Sequence, residues 1–227
     1  MIRISTVCYV LFAALILAAC SSEAPKLSIG KNIPSILKEL RLKKQAPRAG
    51  NALAGLTRAQ LKDIKGPLLV AHLESVEAFS TLSLAARNGE VQTFFTPDQI
   101  SVSLQNGILI STRGLSEDLM AAEANSAAQA IEKAKTATYS RLYRWLDGED
   151  NQIEQQFHCD LAFIDTATVE ILELTHRARH MQETCTAGGQ SIVNDYWVDG
   201  GKSVIWQSRQ WIGPEVGYLS LTVLISS

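Results

Sequence analysis

The segment FSTLSLAARNGEVQTFFTPDQISVSLQNGILIST, residues 79–112, predicts two successive β-hairpins. Asn88-Gly89 and Gln105-Asn106-Gly107 each separate two runs of alternating apolar and polar residues. Asn-Gly pairs accept the positive φ values of tight hairpin turns, so neighbouring strands are expected to pair antiparallel. The four predicted strands are residues 79–87, 91–95, 100–104 and 108–112.

The alternating pattern extends to the C-terminus, and short turns rather than helices join the predicted strands. Three segments of the chain are predicted to be helical instead. Residues 32–44 follow a helical period, Thr57-x-x-Gln60 begins a short helix to about Lys65, and residues 114–135 contain a helix opening near Ser116. The other predicted strands are residues 68–73, 139–145, 152–163, 169–181, 192–198, 204–212 and 218–225. Turns are predicted at residues 147–148, 165–167, 199–201 and 213–214.

No crossover helices alternate with the strands, which argues against a parallel sheet. We therefore predict a mainly β fold, an antiparallel meander forming a β-sandwich or a strongly curved half-barrel. A helical N-terminal leader and one central helix complete it. The predicted division is a signal peptide (residues 1–19), a lipidated tether and basic helical leader (20–65) and an antiparallel β domain (66–227).

The N-terminus has the pattern of an export signal. Arg3 precedes an uncharged apolar run, residues 7–17, that is too short to span a bilayer comfortably. Leu-Ala-Ala-Cys, residues 17–20, resembles the bacterial lipobox, which implies that Cys20 receives the lipid and palmitate-type acyl chains and becomes the mature N-terminus. Ser21 stands where an Asp usually retains such lipoproteins in the inner membrane, so we expect a periplasm-facing protein anchored in the outer membrane. The alternative is a secreted protein with an incidental Cys20.

Charge is divided unevenly along the chain. Residues 26–65 hold ten Lys or Arg against two acids, whereas residues 66–227 hold ten against twenty. A basic leader beside a lipid anchor either touches anionic headgroups or serves as a solvated tether. The acidic body carries no basic aromatic stripe, so a nucleic-acid partner is not expected.

Two cysteines remain once the signal peptide is removed and Cys20 is acylated. In an oxidising compartment, Cys159 and Cys185 are expected to form a disulfide, because two cysteines alone lack partners at metal-ligand spacing.

Signatures of catalysis are largely missing from the sequence. There is no G-x-S-x-G, no H-E-x-x-H and no glycine-rich phosphate loop. His158 and Cys159 are adjacent in a predicted strand and so point to opposite faces. His176 and His180 are predicted to be surface residues, because their segment looks extended rather than helical. We expect no catalytic residue, no cofactor and no metal.

The hairpin around Asp199-Gly200-Gly201-Lys202 holds the candidate ligand-binding residues. A two-residue turn would pair Trp197 with Val204 and Asp195 with Trp206. Trp197 and Trp206 would then share one face, and Tyr196, Val198 and Ile205 the other. Indoles rimmed by Asp195, Asp199 and Lys202 would suit stacking on sugars; the alternative is that both tryptophans are core. Arg209, on the predicted Tyr196 face, and Trp211 extend the candidate set.

Two segments resemble a known family. They are TFFTPDQISVSLQNGILISTRGLSEDL (residues 93–119) and NDYWVDGGKSVIWQSRQWIGPEVGYLSL (residues 194–221), with Cys159 and Cys185 between them. Together with the lipobox they resemble the YjbF/GfcB family of outer-membrane lipoproteins, encoded in exopolysaccharide and group 4 capsule operons. The predicted basic helix at residues 32–44 is not part of that pattern, and the resemblance carries over no catalytic residue.

The resemblance implies a non-enzymatic lipoprotein that assists production or export of a surface polysaccharide by binding or assembly. Its expected partners are the membrane, through the N-terminal lipid, the polysaccharide and other proteins of the export operon. Two alternatives stay open: a carrier of lipid or lipoprotein, and a hydrolase that trims the polysaccharide. A lipid-filled cavity would favour the carrier. Asp195 and Asp199, about 13 Å apart along a strand, are too distant to act as a glycosidase pair on their own.

Overall fold

The computed structural model describes residues 53, 55–147, 149, 151–201 and 204–226. All of them belong to one compact unit, Ile36–Ser227. The predicted signal peptide, Cys20 and the predicted helix at residues 32–44 lie outside the described residues, and so does Lys202. The predicted division of the chain at residue 65 stays a prediction.

Twelve antiparallel strands form a single sheet in the described part of the chain. The first and last strands pair in the middle of the sheet, in the order β5-β4-β3-β2-β1-β12-β11-β10-β9-β8-β7-β6. The chain meanders outward from β1 to the edge strand β5, continues at the other edge with β6 and meanders back inward to β12. The strands are β1 (Leu68–Leu73), β2 (Ala78–Asn88), β3 (Val91–Phe95), β4 (Ser101–Gln105), β5 (Ile108–Arg113), β6 (Leu119–Ala122), β7 (Ala137–Leu146), β8 (Gln152–Ile171), β9 (Leu174–Ala187), β10 (Gln190–Asp199), β11 (Ile205–Gly213) and β12 (Gly217–Ile225).

The predicted antiparallel fold and the two opening hairpins are confirmed. Asn106 and Gly107 both have positive φ, 50° and 83°, as the turn between β4 and β5 requires. Asn88 pairs with Val91, so the turn between β2 and β3 lies at Gly89-Glu90, one residue later than the Asn-Gly pair.

The sheet curls until its two edge strands meet, which makes it a nearly closed, barrel-like sheet. Side chains bridge the seam between β5 and β6. Thr112 Oγ1 accepts a hydrogen bond from Leu119 N at 3.0 Å and donates to Asp118 at 3.0 Å. Arg113 donates to the carbonyls of Leu119 and Met120, at 3.0 and 3.3 Å. These bonds satisfy edge groups that would otherwise be left exposed.

The inner face of the curled sheet is filled by side chains and by a helix. Helix α1 (Asn125–Glu132) buries Ala128, Ala130 and Ile131 against strands β8 to β11. A second inner cluster holds aromatic residues of β7, β8 and β11. Within the described ranges, no helix has the length and apolar character needed to cross a bilayer.

Strand β1 is buried on both faces, which explains its uninterrupted apolar start, Leu-Leu-Val-Ala. Leu69 and Ala71 belong to the inner core, whereas Leu68 and Val70 belong to a cluster on the outer face. Leu61, from a short 3₁₀ turn at Arg58–Leu61, covers that outer cluster. This turn is the predicted Thr57-x-x-Gln60 helix, with Thr57 N donating to Gln60 Oε1 at 2.6 Å, but it ends before the predicted Lys65.

Two predictions for the middle of the chain are wrong. The segment expected to begin a helix near Ser116 forms β6, because Asp118 accepts bonds from Gly114 N and Leu115 N and leads Leu119 into the seam. The helix begins only at Asn125.

Residues 165–167, which were predicted to form a turn, are part of β8 instead. Asp165 pairs with His180 after a bulge at Ile164, and the chain reverses at Leu172-Glu173. Both turn residues have positive φ, 44° and 63°, which residues other than glycine rarely adopt. The tip is held by burial of Leu172 and by a hydrogen bond from Arg58 N to Glu173 Oε2 at 3.1 Å.

Candidate functional site

The hairpin of β10 and β11 carries the two candidate tryptophans in a register that differs from the predicted one. Val198 pairs with Ile205, and Asp199 N donates to Val204 O at 2.7 Å, so the connection spans residues 200–203. Trp197 pairs with Gln207, not with Val204, because Trp206 is the extra residue of a β-bulge. Trp206 follows the inward-facing Ile205, so it lies on the same face as Trp197, and both indoles pack against the same outer cluster.

The opposite face of this hairpin is core, as the apolar pattern favours. Tyr196, Val198 and Ile205 are buried in the cluster that contains helix α1.

Each tryptophan of the pair is covered by a histidine of β9. The His180 ring stacks on Trp197 with centroids 4.7 Å apart and planes 6° apart. Asp195 Oδ1 lies 2.8 Å from His180 Nε2 and accepts from Gln182 Nε2 at 2.9 Å. His180 and Trp197 therefore form a fixed stack rather than two free surface groups.

Trp206 is held in the same way by His176 and Asp199. The His176 ring stacks on it with centroids 3.8 Å apart, and Trp206 Nε1 donates to Asp199 Oδ2 at 3.0 Å. Burial lowers the pKa of His176, and Arg58 lowers it further, although Asp199 opposes both. His176 is therefore neutral at pH 7. The prediction that His176 and His180 are plain surface residues is wrong, because both are half-buried against the tryptophans.

A cavity of about 450 Å³ lies beside this cluster, and we call it the notch. It forms because β9 runs past the end of β10, whose last pair is Asp199 with Ala178. Thr166, Thr175, Arg177 and Arg179 line one side, and residues 199–201 line the other. Its size falls in the range of small-molecule sites, about 300–1,000 Å³.

The other two candidates are not part of this site. The bulge places Arg209 opposite Asp195, on the outer face and not on the predicted Tyr196 face. There its Nε donates to both carboxylate oxygens of Glu74 at 3.0 Å, and its guanidinium lies 3.5 Å from the Tyr218 ring centroid. Trp211 is core, with its ring 5.5 to 5.6 Å from those of Tyr143, Trp145 and Phe157.

A family model described as group 4 capsule polysaccharide lipoprotein GfcB, YjbF matches residues 31–224. The chain belongs to the YjbF family. The resemblance seen in the sequence is thereby confirmed.

A solved structure shares the fold of this YjbF family member, and a second is similar to a smaller extent. The hypothetical lipoprotein YmcC of Escherichia coli K12 is 20% identical with a TM-score of 0.67, over 76% of this chain and 90% of that one. A protein of Bacteroides fragilis, described as exported and YmcC-like in fold, is 11% identical with a TM-score of 0.35, over 70% and 92%. No curated protein matches the chain significantly.

The segments that resemble the YjbF family help to close the sheet and to build the outer tryptophan cluster. Thr112 and Arg113 close the seam, and Gly114 turns the chain there with a φ of 96°. Residues 196–199 form the end of β10, with alternate side chains in the core and in the outer tryptophan cluster.

A polar cluster that the sequence analysis missed lies inside the sheet. Glu183, fully buried, lies 2.7 Å from Arg141 Nη1 and accepts from Asn194 Nδ2 at 2.7 Å. The hydroxyls of Tyr139 and Tyr196 donate to the same carboxylate at 2.8 and 3.2 Å. The sequence carries one indication of this cluster. Glu183 lies two residues before Cys185, and alternate residues of a strand share a face, so a buried Cys185 predicts that Glu183 points inward too.

Burial and Glu183 together keep the surrounding groups in single protonation states. Burial, then the Glu183 carboxylate, raises the pKa of Tyr139 and of Tyr196 far above the ordinary tyrosine range. The pKa of Tyr143 rises to about 12, chiefly through burial. Burial acts to lower the pKa of Arg141, but Glu183 and the tyrosines raise the pKa by more. The net shift is upward, so the guanidinium stays charged. The cluster is therefore a fixed ion pair with neutral tyrosines.

The predicted disulfide is confirmed. Cys159 and Cys185 are bonded and stand directly opposite each other in β8 and β9. Their sulfurs and Glu183 form the one metal-like grouping in the described residues, but bonded sulfurs are not available as thiolate ligands. His158 is exposed on the other face, so it does not face Cys159 as a catalytic partner would.

Proposed function

We propose that this YjbF family member is a lipid-anchored protein of the outer membrane, facing the periplasm, that assists production or export of a surface polysaccharide. The observation that carries the proposal is the family match over residues 31–224, whose description names a capsule polysaccharide lipoprotein. We assign the role to binding or assembly rather than to catalysis. Its partners are the polysaccharide and other proteins of the same export system.

A binding role is supported by the outer face of β9 to β11. There two stacked indole-imidazole pairs lie beside an open notch of about 450 Å³ with polar walls. His176 and Asp199, which hold Trp206, also line the notch, so the stacked pair positions polar groups that can hydrogen-bond sugar hydroxyls.

The anchor is proposed from the lipobox-like residues 17–20. A Cys20→Ser variant is expected to remain as unprocessed precursor, because the acyl chains attach through that sulfur. Radiolabelled palmitate and gel mobility measure this directly, with Cys8→Ser as the control that keeps its label. Normal labelling of Cys20→Ser would contradict the assignment.

The function is tested by deleting the gene and measuring cell-bound and released polysaccharide under inducing conditions. Output is expected to fall, and to recover with the wild-type gene but only partly with Trp197→Ala or Trp206→Ala. Phe79→Ala is the matched control, because Phe79 also stacks on a histidine, His72, at 4.1 Å and packs against the same outer cluster. Immunoblots of the membrane fraction report the level of folded lipoprotein for each variant. An unchanged polymer profile after deletion would contradict the proposed function.

Neither alternative function, the lipid carrier or the polysaccharide hydrolase, is favoured by the structure. An apolar cavity of about 170 Å³ opens between β1, β2 and the β3–β4 loop, with Leu73, Phe79 and Ile100 in its wall. That volume is below the usual range for ligand sites, about 300–1,000 Å³, which does not favour a lipid carrier. Asp195 and Asp199, considered for a hydrolase, are each engaged by neighbouring side chains.

A further inference from the structure

Arg177 and Arg179 line the notch and carry two guanidinium groups. Arg177 and Arg179 alternate along β9 and pair across the hairpin with Thr168 and Thr166. Among the described residues, neither arginine forms an ion pair. Arg179 Nε is buried and has no hydrogen-bond partner. Leaving a buried donor unpaired is unfavourable, so an acceptor that hydrogen-bonds Arg179 Nε would gain binding free energy.

The acid in the wall of the notch is already engaged. Asp199 Oδ2 accepts from Trp206 Nε1 at 3.0 Å, and Asp199 Oδ1 accepts from Gly201 N at 2.8 Å. Arg177 and Arg179 therefore share the notch with one carboxylate that is already committed to other donors, and neutral His176 adds no charge. Guanidinium groups bind carboxylate and phosphate oxygens through paired N–H donors, so the notch suits an anion.

We propose that the notch binds an acidic sugar residue of a polysaccharide, one bearing a carboxylate or a phosphate, through Arg177 and Arg179. This inference rests on the proposed function for the polymeric nature of the ligand. The size of the notch suits a sugar ring with its acidic substituent, and Thr166, Thr175 and the Gly200–Gly201 backbone offer partners for sugar hydroxyls. An anionic lipid is a poorer fit, because the walls lack the large apolar side chains that acyl chains would contact.

The test is calorimetric titration of the full-length, detergent-solubilised lipoprotein with tetragalacturonate and with neutral maltotetraose. We expect tetragalacturonate to bind and maltotetraose to bind at least tenfold more weakly. Raising NaCl from 50 to 300 mM should weaken only the former, because screening affects charged pairs. Glucose 6-phosphate is a second probe: tighter binding than tetragalacturonate per acidic group assigns a phosphate-bearing sugar, and weaker binding assigns a carboxylate.

Substitutions connect binding to the two arginines. Arg177→Gln and Arg179→Gln are each expected to weaken tetragalacturonate binding several-fold, and the double variant at least tenfold, where tenfold corresponds to about 1.4 kcal/mol. Arg179→Lys keeps the charge but not the paired donors, so its affinity should be intermediate. Arg87→Gln is the control, because Arg87 is a solvent-exposed strand arginine, like Arg177, in another hairpin. Circular dichroism and melting midpoints verify that each variant folds.

Three outcomes would overturn the inference. They are equal affinity for the acidic and neutral tetrasaccharides, unchanged affinity in the double variant, and preferential arginine-dependent binding to vesicles containing phosphatidylglycerol. The polymer-output assay is separate: loss of output on gene deletion together with no binding of either acidic probe refutes the inference and leaves the proposed function standing. Specific acidic-sugar binding with unchanged output refutes the proposed function alone.

Discussion

Strand β9 holds two sets of polar residues that differ in how completely they are satisfied. On the inner face, Glu183 accepts from Arg141, Asn194, Tyr139 and Tyr196. Four residues earlier, Arg179 at the notch has a buried Nε with no partner. The contrast indicates that the closed network stabilises and specifies the fold, whereas the open one is available for a ligand.

The largest expected effect is on the closed network. Glu183→Gln keeps the shape of the side chain but leaves Arg141 as a buried, unpaired charge, so we expect a loss of about 3–5 kcal/mol of unfolding free energy. Guanidinium chloride denaturation measures it. Glu154→Gln, which breaks an exposed pair with Arg144, is the matched control and should lose no more than about 0.5 kcal/mol. Equal losses in the two variants would remove the distinction between buried and exposed pairs.

The disulfide beside Glu183 tests the same region through the unfolded state. It joins residues 26 positions apart. In the chain-entropy model, a cross-link over that separation restricts the unfolded chain and adds about 3–4 kcal/mol to the unfolding free energy. The double variant Cys159→Ala, Cys185→Ala should lose that amount in denaturant titrations, and reduced wild-type protein should behave alike. A loss below about 1 kcal/mol would show that the sheet alone restrains these strands.

A much smaller effect is expected at the notch. Arg179→Met removes a guanidinium that has no partner among the described residues and keeps an apolar stem along the strand, so unfolding free energy should fall by no more than about 0.5 kcal/mol. Arg141→Met in the inner network is the internal comparison, and should lose several times more because it leaves Glu183 unpaired. A destabilisation of Arg179→Met close to that of Arg141→Met would place Arg179 among the structural residues.

The smallest effect is a pH dependence from His176. Its pKa is lowered in the fold, chiefly by burial, so the unfolded chain takes up a proton first as pH falls through about 6.5. Stability from this group is therefore complete above pH 6.5 and is lost as pH falls toward the lowered pKa. We expect a difference below about 0.5 kcal/mol between pH 7.5 and pH 5.5, because the ring is partly solvated. His176→Gln should lack that part of the pH dependence, and an unaltered pH profile would contradict it.

The parts of the fold that follow local rules were predictable from the sequence. Alternating apolar residues and Asn-Gly turns identify most strands and their antiparallel order, and the even cysteine pair identifies the disulfide. The reversal at Leu172-Glu173 has no such signal, because tertiary contacts of Leu172 and Glu173 hold an unfavourable backbone there.

The candidate site was predictable only in part, for a related reason. Trp197 and Trp206 were correctly placed on one face, but their register was not, because the connection after Asp199 is longer than a two-residue turn and Trp206 lies in a bulge. The notch arises from the unequal reach of β9 and β10, and strand lengths beyond a turn are not encoded by alternation.

The pairing of β1 with β12 has a consequence for the order of folding. Leu68 pairs with Ile225, so the centre of the sheet joins the two ends of the described chain. The β1–β5 and β6–β11 segments can form local hairpins as they emerge, yet the two halves join at the centre of the sheet only when β12 is available. Such non-local closure is slow compared with hairpin formation. A sheet built this way is completed only after β12 has been made, and late completion suits the proposed export of the chain in unfolded form.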